Sequence, residues 1–81
     1  MEDLLNRITS NPDIAFGKPV IRNTRMPVVF LMEHLAAGDS HEDILRAFPF
    51  LEKEDILASL QYATQLLERN AIPLKINLPA S

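Results

Sequence analysis

The stretch SHEDILRAFPFLEKEDIL at residues 40–57 decides the fold of this chain. Ser40 is followed three residues later by Asp43, which is the pattern of a capping box at a helix start, with Asp as a shorter version of the usual Glu. Pro49 ends that helix. A second helix is predicted from about Glu52, because acidic residues are favoured in a first helical turn. The stretch therefore predicts two helices joined by a short turn.

One more helix is predicted upstream of this stretch. Pro27 suits a first helical turn because its missing N–H would have no partner there. Gly38 suits the left-handed position that ends many helices. After Glu52 an apolar stripe at three- and four-residue spacing continues to about Asn70. Three helices, the last two joined by a short turn, have the layout of a helix-turn-helix.

An N-terminal arm is predicted over about residues 8–26, before the first helix. Residues 1–8 favour a short helical turn, although no convincing cap precedes it. Residues 14–22 hold two short apolar runs broken by glycine and proline, which favours extended chain, with a small β-hairpin as one arrangement. Asn23 begins a second turn and is one of the few residues that tolerate a positive φ.

The C-terminal residues 71–81 change to the period of a strand. A strand with one apolar face must add to a sheet, cover a groove or pair with another chain. We therefore divide the chain into a helix-turn-helix domain, residues 1–70, and an extended tail, residues 71–81. The predicted partner-binding residues of the tail are Ile72, Leu74, Ile76 and Leu78.

Composition indicates one small cytoplasmic domain that needs support from other chains. An 81-residue chain without cysteine has neither disulfides nor thiolate metal sites to stabilise it. This favours a homodimer or a permanent partner. No basic flank precedes an apolar run at the N-terminus, so we expect no signal peptide. The longest apolar run is too short to span a bilayer, so we expect no membrane contact.

The net charge of −3 is unevenly distributed. Residues 14–32 contain no acid, whereas acids dominate from residue 33 onward. The third helix begins with acids, which would repel DNA at the usual place of base contact. A polyanion would therefore meet the basic arm, and an equally weighted alternative is that the arginines tie the arm to acids of the helices. The predicted nucleic-acid-binding residues are Lys18, Arg22, Thr24, Arg25 and Lys53.

No catalytic residue, metal ligand or cofactor site is predicted. His34 and His41 lie on different predicted helices, and further ligands at zinc-binding spacing are missing. Asp39, Ser40 and His41 are the residue types of a hydrolytic triad. Because they are adjacent at a helix start, their side chains point in different directions and cannot converge as a triad requires. Ser40 is better explained as a helix cap, so we do not expect an enzyme.

Residues 17–28, GKPVIRNTRMPV, resemble the signature of domain-of-unknown-function family 433, a bacterial family of small helix-turn-helix proteins. The resemblance covers residues 8–67. It implies a mainly α fold, with a three-helix, homeodomain-like core preceded by a short β element. It also implies an antitoxin role, because members are often encoded beside a PIN-like protein and some are grouped with VapB-type antitoxins. Lys18, Arg22, Thr24 and Arg25 match the characteristic polar residues of the motif.

Three residues depart from the family pattern. Phe16 replaces the first glycine of a pair, and we expect it to add an apolar contact rather than a kink. Asn23 replaces another glycine and should preserve a left-handed turn. Glu52 replaces the usual Ser or Thr cap of the third helix, which should weaken that helix start by about 1 kcal/mol.

Two functional hypotheses follow. In the first, the chain is the antitoxin-like component of a type II toxin–antitoxin pair. Its tail would dock on a PIN-like ribonuclease toxin. The helical core would form a dimer, and the basic arms of that dimer would hold operator DNA. In the second, the helix-turn-helix does not bind DNA and the chain is a homodimerising protein-interaction module. The acids at the start of the third helix favour the second hypothesis.

Overall fold

A computed structural model describes residues 3–70, and the fold is mainly helical with a short two-stranded β element near the N-terminus. The predicted partner-binding residues Ile72, Leu74, Ile76 and Leu78 lie outside the described residues. The helical and β elements run in the order 3₁₀ turn Leu4–Arg7, β1 Ile8–Thr9, β2 Val20–Ile21, α1 Val28–Ala36, α2 His41–Ala47 and α3 Lys53–Arg69.

The predicted capping box at the start of α2 is confirmed. The backbone N–H of Asp43 donates to Ser40 Oγ at 3.0 Å, and the N–H of Ser40 donates to Asp43 Oδ2 at 3.1 Å. At the start of α3 the N–H of Glu52 donates to Asp55 Oδ2 at 2.8 Å. Asp55 thus satisfies a backbone donor at the helix start where the sequence had predicted a weakened cap.

The ends of α1 also follow local signals. Pro27 is the residue before the helix, so α1 begins one residue later than the proline itself. The helix ends at Ala36, and Gly38 has a φ of 96°, the left-handed conformation that glycine adopts without steric cost. Asp3, for which the sequence had given no convincing role, caps the first 3₁₀ turn by accepting from the N–H of Leu5 at 3.0 Å.

The β element differs from the suggested hairpin within residues 14–22. β2 pairs antiparallel with β1, with Ile8 opposite Ile21 and Thr9 opposite Val20. A strand pair with this separation in sequence is set by packing, because neither two-residue strand has a measurable period of its own.

A left-handed turn occupies the place of the first of the two apolar runs predicted within residues 14–22, and β2 lies in the second run. Ala15, Phe16 and Gly17 have φ values of 50°, 58° and 81°, and the N–H of Gly17 donates to the carbonyl of Ile14 at 3.0 Å. Phe16 is 99% exposed. The prediction that Phe16 adds an apolar contact was therefore wrong, since its side chain is exposed and its backbone has a positive φ.

The core lies where β2 and the three helices meet. The apolar stripe of α3 is buried only in its first half: Ile56 is fully buried, whereas Leu66 and Leu67 are 45% and 72% exposed. Within residues 3–70, no helix has both the length and the apolar character that crossing a bilayer requires. The buried core residues are Ile21, Met26, Val28, Leu31, Ile44, Leu51 and Ile56.

Candidate functional site: the Arg22–Arg25 turn and the α1–α3 groove

The signature motif forms a tight loop between β2 and α1. The N–H of Thr24 donates to the carbonyl of Ile21 at 3.1 Å, and the N–H of Ile21 donates to the carbonyl of Met26 at 2.9 Å. Asn23 has a φ of 61° while Arg22 has a negative φ, which is the pattern of a type II turn. The prediction that Asn23 preserves a left-handed position is confirmed.

Thr24 stabilises this loop with its side chain. Its hydroxyl donates to the carbonyl of Ile21 at 2.6 Å and accepts from the N–H of Met26 at 3.0 Å. Because a hydroxyl carries one proton, that proton is used inside the loop and does not remain to donate to a phosphate. The Thr24 hydroxyl therefore fixes the backbone of the loop that carries Arg22 and Arg25.

Two clefts flank the turn, and both are lined by Arg22, Asn23, Thr24 and Arg25. The first has a volume of about 540 Å³ and is completed on the far side by residues of the first 3₁₀ turn, the α2–α3 connection and the start of α3. The second has a volume of about 490 Å³ and is completed by residues 9–11 and 14. Arg22 and Arg25 are exposed and line both clefts.

The tie between the N-terminal segment and the third helix is made by Arg7, a residue the sequence did not single out. Its Nη1 lies 2.9 Å from Asp55 Oδ1 and 3.3 Å from Glu52 Oε1. Arg7 and Asp55 are buried, whereas the Glu52 side chain is 67% exposed. Nothing local in the sequence predicts a pair separated by 48 residues.

Among the residues that the structure describes, the alternative in which the arginines of the turn pair with acids of the helices does not hold for Arg25. Arg22 donates from Nη1 to the carbonyl of Asn6 at 3.4 Å, a contact with the neighbouring backbone. Within residues 3–70, Arg25 forms no ion pair with a carboxylate. The positive charge of Arg25 is thus available to a ligand at the turn.

The other two predicted nucleic-acid-binding residues lie apart from the turn. Lys18 lines a different cavity, the groove between α1 and α3. Lys53 is the exposed first residue of α3 and lines neither cleft. The structure thus groups Arg22, Thr24 and Arg25 and does not bring Lys18 or Lys53 to them.

The groove between α1 and α3 has a volume of about 340 Å³ and an almost wholly apolar wall. Val29 and Leu66 on its rim are 49% and 45% exposed. Leu66 lies in the last turns of α3, so the groove opens close to the point where residues 71–81 begin. The groove is lined by Lys18, Pro19, Val28, Val29, Met32, Tyr62, Ala63 and Leu66.

The polar residues around the α1–α2 connection are used in local contacts. His34 Nδ1 lies 2.7 Å from Asp39 Oδ2, and Ser40 caps α2. This confirms that Ser40 is a cap. In the part of the chain that the structure describes, no three or more His, Asp or Glu side chains are grouped to hold a metal ion.

Comparison with known proteins gives concordant matches. The model of the family "Protein of unknown function (DUF433)" matches residues 8–63. The uncharacterized protein y4eO of Sinorhizobium fredii is 46% identical over 56 residues, which are 69% of this chain and 25% of that protein. A crystal structure of a DUF433 member from Anabaena variabilis is 34% identical with a TM-score of 0.74, and the match covers 79% of this chain and 63% of that one. The chain thus spans a quarter of the first relative and less than two thirds of the second.

Proposed function

Because the chain belongs to the DUF433 family, whose function is unknown, we propose its function from its own surfaces: it is an antitoxin-like component of a type II toxin–antitoxin pair. In this proposal a cytoplasmic PIN-like ribonuclease toxin is neutralised by the groove between α1 and α3 together with the segment Ile72–Leu78. A homodimer of the chain contacts operator DNA through the arginines of the Arg22–Arg25 turn.

The observation that carries the proposal is the exposed apolar groove. Val29 and Leu66 are 49% and 45% exposed and, together with Met32, give the groove its apolar wall. Apolar surface of this kind, rimmed by polar residues, marks sites of protein–protein contact. In this proposal Leu74, Ile76 and Leu78, which follow α3 in the sequence, add to the contact with the toxin.

The DNA contact is supported by the exposure of Arg22 and Arg25 beside the two clefts. Lys18 would add a third phosphate contact per subunit, as the sequence predicts. Six phosphate contacts in a dimer correspond to a slope of about −5 when the logarithm of the binding constant is plotted against the logarithm of the salt concentration. Binding of duplex DNA with a slope near zero would contradict this part of the proposal.

The alternative function is a homodimerising interaction module that does not bind DNA. A specific observation favours it: the N-terminal end of α3, where a recognition helix would meet the bases, carries Glu52, Glu54 and Asp55. Asp55 is buried in its pair with Arg7, but Glu52 remains largely exposed and would repel phosphates. The salt-dependent titration with duplex DNA distinguishes the two functions.

The test of toxin binding uses two adjacent leucines of α3. Leu66 lines the groove, whereas Leu67 is 72% exposed and does not line it. The full chain should capture a PIN-like nuclease from its host and inhibit that nuclease on an RNA substrate. We expect Leu66→Lys, and a chain cut after Asn70, to abolish both effects, while Leu67→Lys retains them.

Two outcomes would contradict the antitoxin role. One is that the full chain captures no nuclease although it remains folded. The other is that Leu66→Lys and Leu67→Lys inhibit the nuclease equally well, which would exclude the groove as its contact. A stable dimer without any nuclease partner would support the interaction module.

A further inference from the structure

A row of aromatic rings lies next to the Arg22–Arg25 turn. Phe30, His34, Phe48 and Phe50 contact one another edge to face, with ring centroids 4.7 Å apart for Phe30 and His34 and 6.2 Å apart for Phe48 and Phe50. We call this row the aromatic ledge. Phe50 is 58% exposed and Phe30 is 40% exposed. Because each ring rests on the edge of a neighbour, the exposed faces are held in place before any ligand binds.

The aromatic ledge and the basic turn share their cavities. Phe50 and Arg25 both line the 540 Å³ cleft at the turn. The same two residues line a second cavity of about 340 Å³, whose wall is nearly all apolar and includes Phe30. A ligand that enters either cavity therefore meets an aromatic face and a guanidinium group together.

The charges around the ledge are arranged from basic to acidic. Arg22 and Arg25 stand at the turn. Glu52 and Asp55 also border that cleft, where both carboxylates lie within 3.3 Å of Arg7 Nη1, so its three arginines exceed its two acids by one charge. At the opposite end of the ledge, beyond Phe30, lies the acid Glu33. An anionic group is therefore favoured at the turn, and an uncharged planar group is favoured on the rings.

We propose that the ledge and the turn form a binding site for single-stranded nucleic acid. Unpaired bases stack on Phe50 and Phe30 while the adjoining phosphates contact Arg22 and Arg25. Bases in a duplex are stacked on each other and cannot offer their faces, whereas unpaired bases stack readily on exposed aromatic rings. The inference rests on the proposed nucleic-acid contact of Arg22 and Arg25, and it adds unpaired bases, which the rings bind, to the phosphates that the arginines contact in either strand form.

The first test separates stacking from charge by changing both the protein and the ligand. The full chain is titrated into a fluorescent 12-nucleotide oligothymidylate and into an abasic strand of the same length. The wild-type chain should bind the oligothymidylate about tenfold more tightly than the abasic strand. Phe50→Leu, which keeps an apolar side chain against Phe48, should remove most of that difference and leave abasic binding within about twofold of its starting value.

A matched control uses the other exposed phenylalanine. Phe16 is 99% exposed and lines none of the cavities around the ledge, so Phe16→Leu should leave both affinities unchanged. Thermal unfolding of each variant, followed by circular dichroism, verifies that the variants are folded. Equal affinities of the wild-type chain for the base-bearing and abasic strands would overturn the proposal.

The second test measures the charge contribution. Arg25→Gln should weaken binding of both strands and lower the log–log salt slope by about 0.7, the value of one phosphate contact on a single strand. Phe50→Leu should leave the slope unchanged, since stacking releases no counterions. Arg69→Gln, at the other end of α3 and about 25 Å from its start, is the matched arginine control.

Failure of this inference is distinguishable from failure of the proposed function. If Leu66→Lys loses the nuclease while Phe50→Leu changes neither oligonucleotide binding nor nuclease capture, the antitoxin role stands and the stacking site is wrong. If Phe50→Leu abolishes nuclease capture without affecting oligonucleotide binding, the ledge is a protein contact and the inference is also overturned.

Discussion

The guanidinium of Arg7 lies 2.9 Å from the carboxylate of Asp55, and both side chains are buried. This pair joins the first 3₁₀ turn to the start of α3 across 48 residues of sequence. Asp55 is also the acceptor for the N–H of Glu52 at the helix start. One carboxylate therefore holds both the N-terminal segment and the first turn of the third helix.

Replacing Arg7 with methionine should destabilise the fold by about 3–5 kcal/mol, because removing one partner leaves the other charge buried and uncompensated. The free energy of unfolding is measured by urea denaturation with circular dichroism. As a control, Arg46→Met should cost no more than about 1 kcal/mol, since Arg46 and Asp43 form an exposed pair at 3.4 Å. If Arg7→Met and Arg46→Met were equally stable, the pair would not be a structural tie.

A double variant tests whether Arg7 and Asp55 act on each other. Arg7→Met combined with Asp55→Asn should lose less free energy of unfolding than the sum of the single changes. Each single change leaves one buried charge without its partner, whereas both groups are neutral in the double variant. Additive effects in the same urea experiments would show that the two side chains contribute independently.

Stability should fall in acid partly through the cap of α2. The backbone N–H of Ser40 and, to a smaller extent, its side chain hold the pKa of Asp43 below its ordinary value, with Arg46 contributing least. A carboxyl group whose pKa is lower in the folded state stabilises the fold above its unfolded pKa, and the benefit is lost as pH falls through the folded pKa. The loss should therefore occur below about pH 4.

The pKa of Asp43 is measured by NMR titration of its carboxyl carbon. Ser40→Ala should raise this pKa toward the ordinary value, because it removes the side-chain hydrogen bond while the backbone N–H remains. Asp43→Asn should flatten the acid dependence of unfolding that comes from this group. An unchanged Asp43 pKa in the Ser40→Ala chain would contradict the assignment of the side-chain contribution.

Replacing Phe16 with glycine should stabilise the chain. Phe16 has a φ of 58°, which costs a residue with a side chain about 1–2 kcal/mol. Glycine avoids this strain but loses about 0.5–1 kcal/mol of backbone entropy on folding, so the net gain lies between about 0 and 1.5 kcal/mol. Thermal or urea unfolding provides the measurement.

Phe16→Ala is the matched control for the same position. Alanine removes the exposed ring but keeps a Cβ at the positive φ, so we expect a change within about 0.5 kcal/mol. If alanine stabilised the chain as much as glycine, exposure of the ring rather than backbone strain would be the cause.

Replacing Thr24 with valine should loosen the Arg22–Arg25 turn. The variant loses the hydrogen bond to the Ile21 carbonyl at 2.6 Å and the one from the Met26 N–H at 3.0 Å. An unpaired partly buried group costs about 1–3 kcal/mol, and oligonucleotide affinity should fall because the arginines lose their fixed position. Thr24→Ser, which keeps the hydroxyl, should retain both the stability and the affinity.

The candidate site was only partly predictable. The family motif predicts Arg22, Thr24 and Arg25 as site residues, and the structure places these residues at one turn. The motif also included Lys18, and Lys53 was predicted from its charge, but neither lysine lines the two clefts at the turn. Phe50 lies in the short turn predicted between two helices, and no sequence pattern marked it as a site residue. Its place beside Arg25 joins residues 25 positions apart in the sequence, which no local pattern encodes.

The sequence by itself determined the three helices, because helix starts and ends depend on residues at most four positions apart. Ser40 with Asp43, Pro27 before α1 and Gly38 after it act through such local contacts. Only the tertiary structure decided the Arg7–Asp55 pair, the partner of β2 and which half of the α3 stripe is buried. These features depend on contacts between segments that are far apart in the sequence, and the spacing of residues along the chain does not predict such contacts.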